Sequence, residues 1–144
     1  DGYYTRPAFE VLLSLGPEDL HALADLTIGR TGYGEITFLQ PVDLTTVKTV
    51  RDVPGDLVVI NLRECIVYGG EHSRTKPPPG KGLNVPARIT LEKCWAIDKS
   101  NREPIKQRDH PRVAQFEGKL RKKKETEFVD YDAEKGKWSF MVRH

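Results

Sequence analysis

The sequence predicts an α+β, mainly β fold, with an antiparallel sheet core, a smaller sheet and flanking helices. Three observations lead there. Short β-branched or aromatic runs, each bounded by Gly, Pro, Asp or Asn, recur from Glu35 to the end of the chain. Helical periodicity is confined to the first quarter and to one later segment. Strands do not alternate with helices as βαβ units require.

In order along the chain, Pro7 to Leu15 reads as a helix, because Phe9, Leu12 and Leu13 recur at i, i+3, i+4. Gly16 breaks it. Pro17 opens a second helix, with Glu18 and Asp19 in its first turn, that runs to about Asp25. Glu35 to Leu39, Leu57 to Leu62, Cys65 to Tyr68 and Ala87 to Leu91 read as strands. His72 to Pro86 is rich in Pro, Gly and Lys and reads as a loop. A third helix spans Pro111 to Lys124 with Val113, Phe116 and Leu120 on one face. Glu127 to Asp132 and Lys137 to Arg143 flank Ala133-Glu134-Lys135-Gly136 and form a hairpin.

The whole of residues 1–144 has the length of one domain. Hydrophobic residues are 38% and charged residues 31%, as in ordinary globular chains, and a net charge of +2 selects no partner. No apolar run reaches the roughly 18 residues of a membrane span. Cys65 and Cys94 lie far apart and no glycosylation sequon is present, which favours a reducing compartment. The cysteines and His21, His72, His110 and His144 show no metal-ligand spacing, so neither a metal nor a cofactor is expected.

Several motifs have two readings. Gly29 to Phe38 resembles an RNP1 strand at Gly32, Tyr33, Gly34 and Phe38. Thr31 replaces the base, however, and Glu35 stands where a stacking aromatic is needed. A negative charge there repels phosphate. The plainer reading is a glycine-shaped turn feeding a strand, with φ > 0 at Gly32 or Gly34. Leu57 to Leu62 lacks the RNP2 aromatic and lies on the wrong side of RNP1. Pro79-Gly80-Lys81-Gly82 misses the phosphate-loop pattern, having Thr75 and Gly82 where Gly and Ser or Thr are required. The run Lys119 to Lys124 suits the solvated C-terminal end of a helix. In the last strand Trp138, Phe140 and Val142 share a face by period two, and His144 joins them if the strand continues. Trp138, Phe140 and Val142 are expected to be buried together against Val58, Ile60 or Ile89.

Taken together, the segments resemble one family. They are Gly2-Tyr3-Tyr4-Thr5, Ile28-Gly29-Arg30 with Gly32-Tyr33-Gly34, Pro41-Val42-Asp43-Leu44, Gly80 to Asn84, Ile89-Thr90-Leu91, Trp95 with Asp98-Lys99, Arg102 to Lys106, and the closing Gly136 to His144. In order and spacing they resemble the C-terminal autoproteolytic domain of FG-repeat nucleoporins of the nucleoporin ninety-eight type. Phe38 to Leu44 and Asp98-Lys99-Ser100 look fungal. The resemblance implies a nuclear pore protein that anchors an FG-repeat arm by binding other nucleoporins. The implied partners are a β-propeller nucleoporin of the cytoplasmic-face complex and the C-terminal fragment released by autocleavage.

In self-cleaving members the final strand continues His-Phe-Ser, and the Phe–Ser bond is cut. His144 matches the histidine. Phe and Ser are absent here, so the resemblance implies a cleaved or truncated form of a single-turnover serine-type autoprotease. His144 is the candidate base and Asn84 the candidate oxyanion stabiliser. The loop from Lys99 to Lys106 is the candidate partner contact, with Lys99, Arg102 and Lys106 as donors and Ile105 as the apolar anchor. A weak RNA-binding module using Tyr33, Phe38 and the basic run is the competing function.

Overall fold

All strand pairs are antiparallel in the computed structural model, which describes residues 1–144. The strands are β1 (Tyr3–Arg6), β2 (Thr27–Arg30), β3 (Gly34–Phe38), β4 (Val58–Asn61), β5 (Glu64–Val67), β6 (Ala87–Leu91), β7 (Ala96–Ile97), β8 (Pro104–Ile105), β9 (Glu127–Asp132) and β10 (Lys137–Val142). The helices are α1 (Phe9–Ser14), α2 (Pro17–His21) and α3 (Pro111–Arg121). A six-stranded sheet has the order β1-β2-β3-β6-β10-β9, and β4-β5 and β7-β8 form two-stranded sheets. The predicted sheet core, smaller sheet and flanking helices are all present.

Period two gives the large sheet one apolar and one polar face. Ile28, Ile36, Ile89 and Phe140 stand side by side across four strands and are all buried. Each such side chain contributes about 1.5–3 kcal/mol relative to an exposed one. On the other face Thr27 and Thr37 share a hydrogen bond of 2.8 Å, as do Thr90 and Ser139. Phe140 is buried opposite Ile89, as the strand parity requires, and its ring stacks on Trp138 at 4.2 Å. Val142 is only half-buried. At the far edge the register of β9 against β10 shifts between Ser139 and Phe140.

The strands Ala87–Leu91 and Glu127–Asp132 have the predicted bounds, but the helices are shorter than predicted. Leu13 is 41% exposed, so the inner face of α1 rests on Leu12 and Phe9. α2 stops at His21 because Leu23 exchanges backbone hydrogen bonds with Val42, which draws the chain out of the helix. α3 ends at Arg121, with Val113 and Leu120 buried and Phe116 packed 5.6 Å from Tyr131 on β9. Overlapping the start of the predicted loop, Gly70–Thr75 forms a 3-10 turn. The strands β1, β2, β7 and β8 were not predicted.

Candidate functional site

The RNP1-like stretch is not one strand. Gly29 lies in β2, Gly32 (φ +84°) lies in the turn, and Gly34 (φ +150°) opens β3. The positive φ at Gly32 agrees with the turn reading, while at Gly34 a Cβ would come 2.2 Å from the Thr90 carbonyl oxygen of the next strand. Phe38 is 1% exposed and the Tyr33 ring is covered by the Arg30 guanidinium at 4.1 Å. Glu35 accepts from the Tyr4 hydroxyl at 2.8 Å and pairs with Arg6 at 3.1 Å. No aromatic of this stretch is left free to stack a base, so the RNA-binding alternative lacks support.

A built cavity lies elsewhere, between β5, β6 and the end of β10. It has a volume of about 160 Å³ and is lined mainly by apolar groups, among them Ile36, Val67, Val85, Ile89 and Val142. Asn84, Lys76 and His144 are its polar members. Leu83, Asn84 and Val85 form one wall, at the end of a segment from Pro77 that folds tightly on itself. Gly80 donates its N–H to the Asn84 carbonyl at 2.7 Å, and Leu83 donates to the Tyr68 hydroxyl at 2.9 Å. A Cβ at Gly82 (φ +57°) would sit 2.7 Å from that hydroxyl, so the close approach requires glycine.

This wall turns Asn84 inward, where it is 4% exposed. Its Nδ2 donates to the Pro77 carbonyl at 2.8 Å, and its Oδ1 is buried without a partner. An unmade bond on a buried acceptor costs about 1–3 kcal/mol. The unpartnered atom is an acceptor, so it suits holding an N–H or O–H. Stabilising an oxyanion, the role expected from sequence, would fall to Nδ2, which is already committed to Pro77.

His144 does not lie on the buried face of the last strand. β10 ends at Val142, and His144 is exposed at the cavity, on the same lining as Asn84. The two candidate residues are thus brought together, although 60 positions apart in sequence. Cys65 also lines the cavity, but burial, aided by the charge of Glu64, pushes its thiol up to about 12. It stays protonated at neutral pH and is a poor nucleophile.

The outer edge of β5 faces the same cavity and is free. Ile60 of β4 donates to the Tyr3 hydroxyl at 2.9 Å and accepts from Arg30 at 2.8 Å. Val58 donates to the Val53 carbonyl at 2.9 Å and accepts from the Gly55 N–H at 2.8 Å. Both residues therefore direct their backbone groups away from β5. Their cross-strand partners, Cys65 and Val67, direct theirs to the outer side, where β5 has no neighbouring strand. Neither this edge nor Tyr68 was singled out from the sequence, since strand pairing is non-local.

The candidate partner loop is a tight hairpin. Ala96 pairs with Ile105 and Ile97 with Pro104. Asp98 accepts from the Ser100 N–H at 2.8 Å and its hydroxyl at 2.6 Å, and these bonds hold its carboxyl below the usual range. Arg102 adopts φ +61° at the turn. Lys99, Arg102 and Lys106 are exposed, and Lys106 lies 5.0 Å over the Trp95 ring. Ile105 is a correction. It is 4% exposed and faces the core beside Ala96, so it is no anchor for a partner. The exposed apolar side chain of this hairpin is Ile97, at 42%.

Comparison with known proteins covers the whole chain. A family model described as Nup98-96 autopeptidase S59 matches residues 1–144. Nucleoporin nup189 of Schizosaccharomyces pombe is 44% identical over 144 residues, and the chain spans 100% of itself but 8% of that protein. A chain of the yeast heterotrimeric Nup82-Nup159-Nup116 nucleoporin complex superposes with a TM-score of 0.92 at 35% identity, covering 100% of this chain and 97% of that one. A Chaetomium thermophilum Nup145N APD T994A mutant fused to Nup145C N superposes with a TM-score of 0.86 at 31% identity, covering 99% and 94%.

Proposed function

The chain belongs to the Nup98-96 autopeptidase S59 family of nucleoporin domains, and from that premise we propose that it anchors a longer nucleoporin at the nuclear pore complex by binding other nucleoporins. It thereby supports nucleocytoplasmic transport of protein and mRNA from a location at the nuclear envelope. The likeness, over nearly its full length, to a chain of the Nup82-Nup159-Nup116 complex is the observation that carries this reading. The chain occupies a small part of its curated relatives, 8% and 13% in two of them, as a docking module of a long protein would.

The partner is a β-propeller nucleoporin of the cytoplasmic-face complex, and the contact is the β7-β8 hairpin through Lys99, Arg102 and Lys106. The Asp98 turn fixes the backbone in advance, which lowers the ordering cost of binding. The test is calorimetric titration of the purified propeller with a Lys99→Glu/Arg102→Glu/Lys106→Glu variant that melts normally. Binding within about twofold of the unmodified domain, under roughly 0.5 kcal/mol, removes this hairpin from the interface.

The cavity favours a second role for the same domain, self-processing in a precursor that continues past His144. There, the hydroxyl of a residue two positions after His144 attacks the preceding carbonyl carbon. The C–N bond breaks, an ester forms, the released nitrogen takes up the hydroxyl proton, and water hydrolyses the ester. Holding both groups on one strand supplies roughly 7–11 kcal/mol. In this reading His144 takes the hydroxyl proton and passes it to the released nitrogen, worth about 10²–10⁴-fold, and Asn84 Oδ1 accepts a hydrogen bond from the attacking segment. The fragment downstream of the cut stays seated as a third strand on β5, using the free groups of Cys65 and Val67. Mass spectrometry of such a precursor tests this: intact chain after prolonged incubation would rule out the processing role.

A further inference from the structure

Charge is strongly segregated along the chain. Between Lys99 and Lys124 lie ten Lys or Arg and three Asp or Glu, a net +7, whereas the whole chain is +2, leaving −5 for the rest. The fold gathers much of the excess onto α3 and the turn after it. Lys119, Lys122, Lys123 and Lys124 are exposed, and none forms an ion pair. Beside them one carboxylate is shared by two guanidiniums: Glu117 pairs with Arg108 at 2.5 Å and with Arg121 at 3.1 Å. The carboxyl of Glu117 is held below its usual range by these two partners, even though burial opposes the shift. Both guanidiniums stay more than half exposed, at 60% and 57%, and each has five N–H donors, more than Glu117 can take.

We propose that the α3 face, centred on Arg108, Arg121 and the lysines from Lys119 to Lys124, is a docking surface for an acidic polypeptide segment. Three anionic partners have to be told apart. Single-stranded nucleic acid needs aromatic platforms. Here Phe128 lies under Arg121 at 4.0 Å, Trp95 under Lys106 at 5.0 Å, and Phe116 against Tyr131 at 5.6 Å. An anionic membrane surface is bound by inserting large apolar side chains along with the charges, and α3 exposes none. An acidic segment requires only fixed forks and mobile ammonium groups, which is what the surface offers. The α3 face adjoins the β7-β8 hairpin, where Arg112 donates to the Ile97 carbonyl at 3.1 Å, but its lysines are not those of the pore-anchor contact, so different variants test the two.

Fluorescence anisotropy of a labelled Glu- and Asp-rich peptide with this domain is the test. Binding is expected to weaken at physiological ionic strength relative to low salt. The Lys119→Glu/Lys122→Glu/Lys123→Glu variant should lose roughly tenfold or more in affinity. Lys48→Glu/Lys81→Glu, on another surface, should stay within about twofold. If the triple variant melts early, Lys119→Gln/Lys122→Gln replaces it with the same expected direction. Absence of peptide binding overturns the proposal. So does an equal loss in the Lys48/Lys81 control, or tighter binding of polyuridylate or phosphatidylserine vesicles than of the peptide.

Discussion

The Tyr3 hydroxyl takes the Ile60 N–H at 2.9 Å and so joins the first strand of the large sheet to β4 of the small one. Ile60 is fully buried, so this donor has no access to water. Tyr3→Phe keeps the ring and removes the acceptor. The expected loss is about 1–3 kcal/mol, read by urea denaturation, with the far-ultraviolet spectrum unchanged.

Gly29 lies under the ring of Tyr4, and a Cβ there would come 2.1 Å from the ring. Gly29→Ala should therefore destabilise by about 1–3 kcal/mol. In a Tyr4→Ala background the same change should cost less. Additive losses in this double-mutant cycle would show that the ring is not the obstacle.

Phe140 is 7% exposed, stacked on Trp138 and set opposite Ile89. Phe140→Ala should cost about 3–5 kcal/mol. Because β10 ends beside the cavity, processing of a precursor should slow as well, even below the melting temperature.

Alkaline pH should destabilise the domain. Burial raises the thiol of Cys65 to about 12 and that of Cys94 to about 11. Free thiols ionise near ~8.5. Between those values the folded state holds more protons than the unfolded one, so stability falls as pH rises through that window and is unaffected below it. Cys65→Ala should flatten the fall between about pH 9 and pH 11, measured by urea midpoints.

Removing the hydrogen-bonding amide of Asn84 separates two of its roles. Asn84→Leu loses the bond to Pro77 and the free Oδ1 together, whereas Asn84→Asp keeps an acceptor in the cavity. If the acceptor holds the downstream segment, the Asp variant should retain that fragment through gel filtration and the Leu variant should shed it.

Legibility followed the range of the interactions. Ala87–Leu91 alternates cleanly, and Glu127–Asp132 is half of a hairpin closed by a short loop, so both could be read locally. β2 could not, because Gly29 interrupts its pattern and is explained only by Tyr4, a partner from another strand. α2 looked longer than it is because Val42 competes for the backbone of Leu23. At the site, His144 and Asn84 were identified, but their environment was not. Tyr68, Pro77 and the edge of β5 reach them through the fold alone. Ile105 was misplaced because a charged neighbourhood suggested solvent, while pairing with Ala96 turned it inward.

The open edge of β5 also has a colloidal consequence. An unpaired strand edge is a template for any extended chain, including another copy of itself. Here that edge carries Ile66, 37% exposed, with Glu64 beside it as the main charge discouraging self-pairing. A domain whose seat is empty should therefore be stickier at high concentration than one whose seat is filled. A retained downstream fragment would then act as a stopper, keeping the domain soluble in the crowded surroundings of the pore.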